Sequence, residues 1–325
     1  MGIFEDGLVF DHTINQAYYY FRNQNRLNEI NTLLKQPPPK EKPLTYTQPQ
    51  TNTTKTDFEQ AVQKAKQHIT KGEIFQVVLS KRFEFQYTGN LLQLYRSLRQ
   101  INPSPYMFYY KTNNRQIIGA SPEMLVRVNN HKAITFPIAG TTPQTPNPKE
   151  NQRLGKKLLT NPKERAEHVM LVDLARNDIG KISRYGSVAV PEFMQIHQFS
   201  HVQHIVSQVT GDLQDNVKSF DVLRAVFPAG TVSGAPKIRA MEIIEELETS
   251  HRGPYAGAVG YFSCNGNADF AITIRTLFAQ NNQAYIQTGA GIVADSNPEK
   301  EWFETDHKAK ALIEALQHAT GTNPP

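Results

Sequence analysis

The chain has 325 residues, 39% hydrophobic and 20% charged, an ordinary composition that suits one large domain or two smaller ones. Its net charge of +5 is spread along the chain without a dense Lys/Arg tract, which argues against nucleic-acid binding and fits an acidic small-molecule substrate. The single cysteine, Cys264, excludes an internal disulfide framework and a cysteine-cluster metal site, and no apolar segment reaches membrane-span length, so a cytoplasmic protein with no membrane partner is expected.

Leu8–Phe10 and Ala17–Phe21 read as strands, and Arg26–Lys35 as a short helix. Gln36–Thr56 is rich in Pro, Thr, Gln and Lys without apolar periodicity, the pattern of a linker or surface loop. The expected organisation is therefore 1–36 as one segment, 37–56 as linker and 57–325 as the main domain. In that domain Phe58, Ala61, Val62, Ala65 and Ile69 follow helical spacing up to Gly72. Ile74–Phe85 is a largely buried strand, and Leu91–Ile101 a helix stopped by Asn102-Pro103. Tyr106–Tyr110, Gln116–Gly119, Met124–Val128 and Ala133–Ile138 read as consecutive antiparallel strands.

Helices are expected at Asn151–Leu159 and Pro162–Asn177, extended chain at Gly186–Gln195, and a strand at Val202–Gly211. Ser219–Phe227 and Ala235–Leu247 read as helices around the loop Pro228–Pro236, and Ala256–Cys264, Asp269–Ala279 and Gln283–Thr288 as the last strands. A glycine turn, Gly289-Ala290-Gly291, could bring bare backbone N–H groups close to an anion. The closing helix begins at Pro298, behind a cap, and runs to about Gln317. Strand runs separated by helix runs indicate an α+β fold.

Several residues could carry chemistry. Glu301, Glu304 and Lys308 share one helix face. Glu164 and Glu167 form a second i, i+3 carboxylate pair on another helix. Each pair alone reads as a solvated face, with Arg165 and Arg176 as partners of the second; facing each other, the two pairs would make the oxygen-rich site that Mg²⁺ needs. His204 alternates with apolar residues and is open between a core histidine and a general acid or base. Arg275 lies in an apolar strand and needs an anionic partner, from the protein or from a substrate. Tyr255 sits at a glycine-rich strand start, and Gly140-Thr141 offers an N–H and a hydroxyl to an anion. No nucleotide-binding glycine loop, H-E-x-x-H or G-x-S-x-G motif occurs.

Seven segments together resemble the chorismate-utilising enzymes, in their anthranilate synthase branch. They are PIAGT (Pro137–Thr141), KERAEHVMLVDLARND (Lys163–Asp178), HIVSQVTG (His204–Gly211), PAGTVSGAPKIRAMEIIEELE (Pro228–Glu248), RGPYAGAVGYF (Arg252–Phe262), AITIRT (Ala271–Thr276) and TGAGIVADSNPEKEWFET (Thr288–Thr305). The resemblance covers roughly Asp57 to the end and implies two facing antiparallel sheets with helices outside. It implies that Glu167 and Glu304 bind Mg²⁺, supported by Glu164 and Glu301. It implies that Tyr255, Arg275 and the Gly289, Ala290 and Gly291 amides hold the enolpyruvyl carboxylate of chorismate, with Lys308 also at the substrate and Gly140 and Thr141 lining the ring.

Glu123, in the SPE turn, is then the candidate general acid for the departing C4 hydroxyl, His204 the group assisting elimination, and Thr231 a further catalytic candidate. Gln76 stands where isochorismate and salicylate synthases carry a water-activating lysine, and Ala139 where aminodeoxychorismate synthases typically carry lysine. Both point to ammonia addition giving anthranilate and pyruvate, for tryptophan biosynthesis; aminodeoxychorismate synthase component I and an inactive chorismate-binding chain are the alternatives. Ammonia is expected from a separate glutamine amidotransferase subunit, in a hetero-oligomer. The chain departs from the family pattern at Thr142, in place of a basic residue, and at Ala256, in place of a glycine. Residues 1–36 look like the remnant of a longer N-terminal region. An early LLES-type motif of the tryptophan-inhibition site is missing while Asn102–Met107 is present, so weak or absent feedback inhibition is expected.

Overall fold

The computed structural model describes residues 2–198 and 202–321. The chain divides into two compact units, Met1–Lys42 and Pro43–Pro325.

In the first unit, β1 (Asp6–Asp11) and β2 (Gln16–Phe21) form an antiparallel hairpin in which Asp11 pairs with Gln16. Asp11 closes its turn by accepting the Thr13 N–H at 2.8 Å. Helix α1 (Leu27–Lys35) follows and buries none of its residues.

The second unit opens with two short strands, β3 (Thr45–Tyr46) and β4 (Gln50–Thr51), inside the stretch whose composition suggests a linker. Both pair with β5 (Gln76–Thr88), which tertiary contact rather than local pattern explains. Helix α2 (Lys55–Thr70) is capped by Thr54, whose side chain accepts the Asp57 N–H. Next come α3 (Leu92–Ile101) and the strands β6 (Tyr106–Thr112), β7 (Arg115–Ser121), β8 (Met124–Asn129), β9 (Lys132–Thr135) and β10 (Ile138–Pro143). Helices α4 (Pro148–Thr160) and α5 (Pro162–Gly180) start alike: Asn147 and Asn161 each cap two backbone N–H groups, and proline follows. Then β11 (Ala189–Gln198), β12 (Val202–Asp212), α6 (Ser219–Val226), a 3₁₀ turn at Gly230–Val232, β13 (Gly234–Ala235) and α7 (Lys237–Leu247) follow. Four strands, β14 (Ala258–Phe262), β15 (Ala268–Ile272), β16 (Thr276–Gln280) and β17 (Gln283–Ile292), lead to α8 (Pro298–Thr320).

Two sheets result. One has seven strands in the order β10-β12-β9-β8-β15-β14, with β11 also on β12; the other has eight, in the order β13-β5-β17-β16-β7-β6, with β3 and β4 on β5. Every pairing is antiparallel. Leu125, Val126 and Phe270 of the first sheet share a buried cluster with Phe278 of the second and with α5 and α6. The eight-stranded sheet buries another face against α3 and α8, and α2 and α7 cover the β5–β17 region. The architecture is the α+β arrangement expected.

Five local expectations need correction. Helix α4 starts at Pro148 rather than Asn151, because Asn147 caps its first turn. The run Ala133–Ile138 is two strands parted by Phe136-Pro137, since proline cannot donate to a ladder. The run Asp269–Ala279 is also two strands, because the chain changes sheets between them. Helix α7 starts at Lys237, and Gly234-Ala235 pairs with β5 instead. Gly289–Gly291 is not a turn but the last part of β17, with Gly289 opposite Ser80 and Gly291 opposite Val78. The last four residues of the expected main domain lie outside the described residues.

Candidate active site

Two of the places where the chain passes from one sheet to the other, both by short connections, are neighbours. From β7 to β8 the chain crosses through Pro122-Glu123, and from β15 to β16 through Thr273-Ile274-Arg275. The crossings are stitched together: the Ile272 N–H donates to the Glu123 carbonyl at 3.0 Å, and the Ala120 N–H to the Arg275 carbonyl at 3.2 Å. The Ser121 hydroxyl donates to the Ile272 carbonyl at 2.7 Å. Arg275 takes φ 51°, an unusual backbone for a bulky residue and a mark of a constrained position. Sequence pattern puts Arg275 inside a strand; the structure puts it at a kink beside the candidate acid.

Glu123 accepts a hydrogen bond from Thr231 Oγ1 at 2.9 Å. Burial pushes its carboxyl up to about 7, against the opposing pull of that hydrogen bond and of the Lys308 charge. A carboxylic acid poised near neutrality suits proton donation. Thr231 is brought there by the 3₁₀ turn between α6 and α7.

His204, on β12, has its Nδ1 2.8 Å from the Gly140 carbonyl and 3.2 Å from Thr141 Oγ1. The carbonyl can only accept, so Nδ1 carries the proton and Nε2 is the basic nitrogen of the neutral ring. Burial lowers the His204 pKa, the Gly140 bond opposes this, and the Arg275 charge lowers it further. The β10–β12 register shifts between Ala139 and Thr141. At this bulge Gly140 adopts φ +65°, and a Cβ there would lie 2.9 Å from Glu164 Oε2. Glycine is what allows the carboxylate to approach.

That carboxylate belongs to the Glu164–Glu167 pair of α5. The pairs face each other electrostatically. Burial raises the Glu167 pKa, Glu164 raises it further, and Glu304 of α8 acts in the same direction. Burial also raises Glu301, with Glu304 adding to it, while Lys163 of α5 acts on it from across the gap. Among the described residues no lysine or arginine side-chain nitrogen lies within 4.0 Å of a carboxylate oxygen of Glu164, Glu167 or Glu301. Arg165 and Arg176, the partners a plain solvated face would use, instead bond the Leu159 carbonyl and Asp173. Lys308 pairs with Glu304 at 2.7 Å. Among the described residues no three acidic, histidine or cysteine side chains are already gathered tightly enough to hold a metal. The donor set nonetheless fits Mg²⁺: oxygen ligands only, on two opposed helix faces, with repelling carboxylates that a dication would relieve.

The remaining wall is β17. Its pairing with β16 ends at Ile286, whereas its pairing with β5 continues to Ile292. Beyond Ile286 the edge opposite β5 therefore has no strand partner among the described residues. The two glycines are there for close approach. A Cβ at Gly289 would sit 2.6 Å from the Tyr255 hydroxyl, and one at Gly291 2.7 Å from Gln76 Nε2. Ala290, between them, is fully buried on the other face. Lys308 Nζ donates to the Gly289 carbonyl at 2.9 Å. Burial pushes the Tyr255 hydroxyl up to about 12, so it is a donor; the charges of Arg252 and Arg275 act the other way. Burial lowers the Arg275 pKa, and no protein carboxylate pairs with it among the described residues. A buried arginine in that setting suits an anionic ligand. Gln76 Oε1 is buried without a hydrogen-bond partner among the described residues.

Two supporting contacts were not anticipated from sequence. Arg252 and Glu248 form a buried pair that ties α7 to the Val78 and Val232 carbonyls. Lys237 links α7 to buried Asp178 on α5 at 2.7 Å and to the Val226 carbonyl at 2.9 Å. A basic residue four from an acidic one was the signal for the first; nothing local marked the second.

The family model described as chorismate binding enzyme matches residues 1–314. Anthranilate synthase component 1 of Methanothermobacter marburgensis is 53% identical over 318 residues, 98% of this chain and 69% of that protein. The same component of Aquifex aeolicus is 55% identical over 268 residues, 82% of this chain and 54% of that protein. Among solved structures, anthranilate synthase component I of Streptococcus pneumoniae superposes with a TM-score of 0.87 at 43% identity, covering 95% of this chain and 72% of that one.

Proposed function

Because the chain belongs to the chorismate binding enzymes, we propose that it is the chorismate-using subunit of an anthranilate synthase, forming anthranilate and pyruvate from chorismate and ammonia. The observation that carries this reading is Glu123: a carboxyl poised near 7, hydrogen-bonded to Thr231, on a sheet crossing bonded to the one that carries Arg275, which has no carboxylate partner among the described residues.

Chorismate carries two carboxylates, and the site offers two anion-binding ends. At one, Arg275, the Tyr255 hydroxyl and the open edge of β17 at Gly289 and Gly291 receive the enolpyruvyl carboxylate, with Lys308 beside them; the N–H of Ala290 between them faces β5 in the ladder. At the other, Glu167 and Glu304, backed by Glu164 and Glu301, would hold Mg²⁺, which when bound neutralises the ring carboxylate and draws charge from the ring. Gly140 and Thr141 line the ring. Glu123 gives its proton to the C4 hydroxyl, which leaves as water while ammonia adds at C2. His204 then takes the C2 proton as the enolpyruvyl C–O bond breaks, and the departing enolpyruvate gains a proton at its methylene carbon, leaving pyruvate and an aromatic ring. A placed general acid or base contributes about 10²–10⁴-fold to such steps.

Gln76 supports ammonia over water as nucleophile, since an uncharged amide beside Gly291 has no basic group with which to deprotonate water. Ammonia comes from a glutamine amidotransferase subunit in a hetero-oligomer, and the working compartment is the cytoplasm. No helix among the described residues is long and apolar enough to cross a membrane.

The test is fluorescence of the purified chain with chorismate, Mg²⁺ and an ammonium salt, with products identified by mass. Anthranilate is expected. An aminated, non-aromatic product retaining the enolpyruvyl group would assign the chain to aminodeoxychorismate synthesis instead, and bound but unreacted chorismate would mean an inactive binding chain.

A further inference from the structure

Among the described residues Lys81 is the largest side chain with no solvent exposure. It rises from β5 into an aromatic cage. Its Nζ lies 2.9 Å over the Trp302 ring centroid, 5.3 Å from that of Phe83 and 6.0 Å from that of Phe58. Phe58 and Trp302 themselves pack edge to face. The ammonium pairs with Asp306 at 2.7 Å and reaches the Trp302 carbonyl at 3.4 Å. Opposite Lys81 in the ladder stands Thr288 of β17, whose hydroxyl donates to the Thr305 carbonyl at 2.8 Å. One cross-strand pair thus grips one turn of α8, from Trp302 to Asp306. Glu304 lies within that turn, Glu301 just before it and Lys308 just after.

Burying an ammonium is costly, and replacing a buried ion pair by apolar side chains is often neutral or stabilising. Stability alone does not explain a lysine in a cage that methionine would fill. A directional contact does something apolar packing cannot: it fixes rotation about the helix axis. Successive residues of a helix are about 100° apart, so a slip of one position would turn Glu301 and Glu304 away from Glu164 and Glu167. The other carboxylate helix has its own buried polar anchor, His168 of α5, with Nε2 2.6 Å from Ser207 Oγ on β12.

We infer that Lys81 is a positioning residue: through Asp306 and the Trp302 carbonyl it sets the rotation of α8 and thereby the geometry of the carboxylates that face α5. The inference rests on the Mg²⁺ reading above. Its test is calorimetric titration of Mg²⁺ into the purified chain with chorismate present and ammonia absent, for the wild type, Lys81→Met, Asp306→Asn and, as control, Val62→Ala. The control opens a cavity in the apolar cluster that Trp302 packs against, without touching the grip. Lys81→Met is expected to keep a native near-ultraviolet circular dichroism spectrum and to weaken Mg²⁺ about tenfold or more, the usual effect of losing an outer-shell contact. Asp306→Asn should weaken it in the same direction, and Val62→Ala should leave it unchanged at a comparable loss of thermal stability. If Lys81→Met does not fold, the Asp306→Asn result decides by the same criterion. Unchanged Mg²⁺ affinity in the gripping variants, or equal weakening in Val62→Ala, overturns the inference alone. No Mg²⁺ binding by the wild type overturns it together with the metal reading.

Discussion

Thr231 holds Glu123 by a single 2.9 Å hydrogen bond across the space between a 3₁₀ turn and a sheet crossing. The bond stabilises the carboxylate, so it pulls the Glu123 pKa down against the larger upward effect of burial. Thr231→Val removes the donor and keeps the shape. Glu123 should then stay protonated to higher pH, and the alkaline limb of the kcat profile should move upward. A limb that moves downward would mean that the proton donor is another group.

Glu123 also makes stability depend on pH. Its folded-state pKa, about 7, lies above the ordinary carboxylate value of 4.5. The folded protein therefore holds this proton more tightly than the unfolded chain. That contribution is fully present below pH 4.5 and is lost as pH rises through 7. Glu123→Gln cannot ionise. Relative to the wild type it should gain stability between pH 5 and 8, by up to about 3 kcal/mol, with no such gain near pH 4. Urea titrations at the two ends of this range measure the difference; a constant difference would refute the raised pKa.

Arg275 carries charge at a kink, with Tyr255 and His204 as its electrostatic neighbours. Arg275→Met should weaken chorismate binding by roughly two orders of magnitude, the scale of losing a charge-assisted contact of about 3 kcal/mol. Removing a positive charge beside His204 should also raise the imidazole pKa. Equilibrium binding of chorismate and a histidine NMR titration read the two effects separately, and an unaltered affinity would remove Arg275 from the substrate site.

Ala256 sits where glycine would be easier. Its φ of 61° is left-handed, and the residue is buried with its N–H donated to the Thr273 carbonyl at 3.1 Å. A non-glycine residue there costs about 1–2 kcal/mol. Ala256→Gly should raise the melting temperature by about 2–4 °C without altering the hydrogen bond. A lower melting temperature would show that the methyl group's packing outweighs its backbone strain.

The starts of α5 and α8, at Pro162 and Pro298 behind an asparagine cap, were legible in the sequence, because capping chemistry is local. The same Asn-Pro signal at 147–148 starts α4 three residues ahead of the expected Asn151, because the apolar spacing becomes visible only further along the helix. The i, i+3 glutamate pairs were equally plain, since helical spacing alone puts them on one face. What local pattern could not show was where the chain changes sheets. Thr273-Ile274-Arg275 looks like continuous strand because its composition is that of a strand, yet its hydrogen-bond partners belong to different sheets on either side. Gly289 and Gly291 suggested a turn because glycine usually marks one. Here they sit in a regular ladder, bare because the Tyr255 hydroxyl and the Gln76 amide fill the space. Lys81 was invisible for the opposite reason: a lysine in a strand normally points to solvent, and only the cage of Phe58, Phe83 and Trp302 shows that this one does not.

The paired crossings at Glu123 and Arg275 tie chemical competence to the completeness of the fold. Neither sheet owns the acid or the arginine; each residue is in place only when strands on both sides of it have found their separate ladders. The stitches between them join positions far apart in the chain, and such long-range contacts form late and slowly. A half-assembled molecule would therefore already have helices, hairpins and an exposed acidic surface, and yet no reaction centre. On the proposed assignment of these two residues, turnover would be the signal that folding has finished.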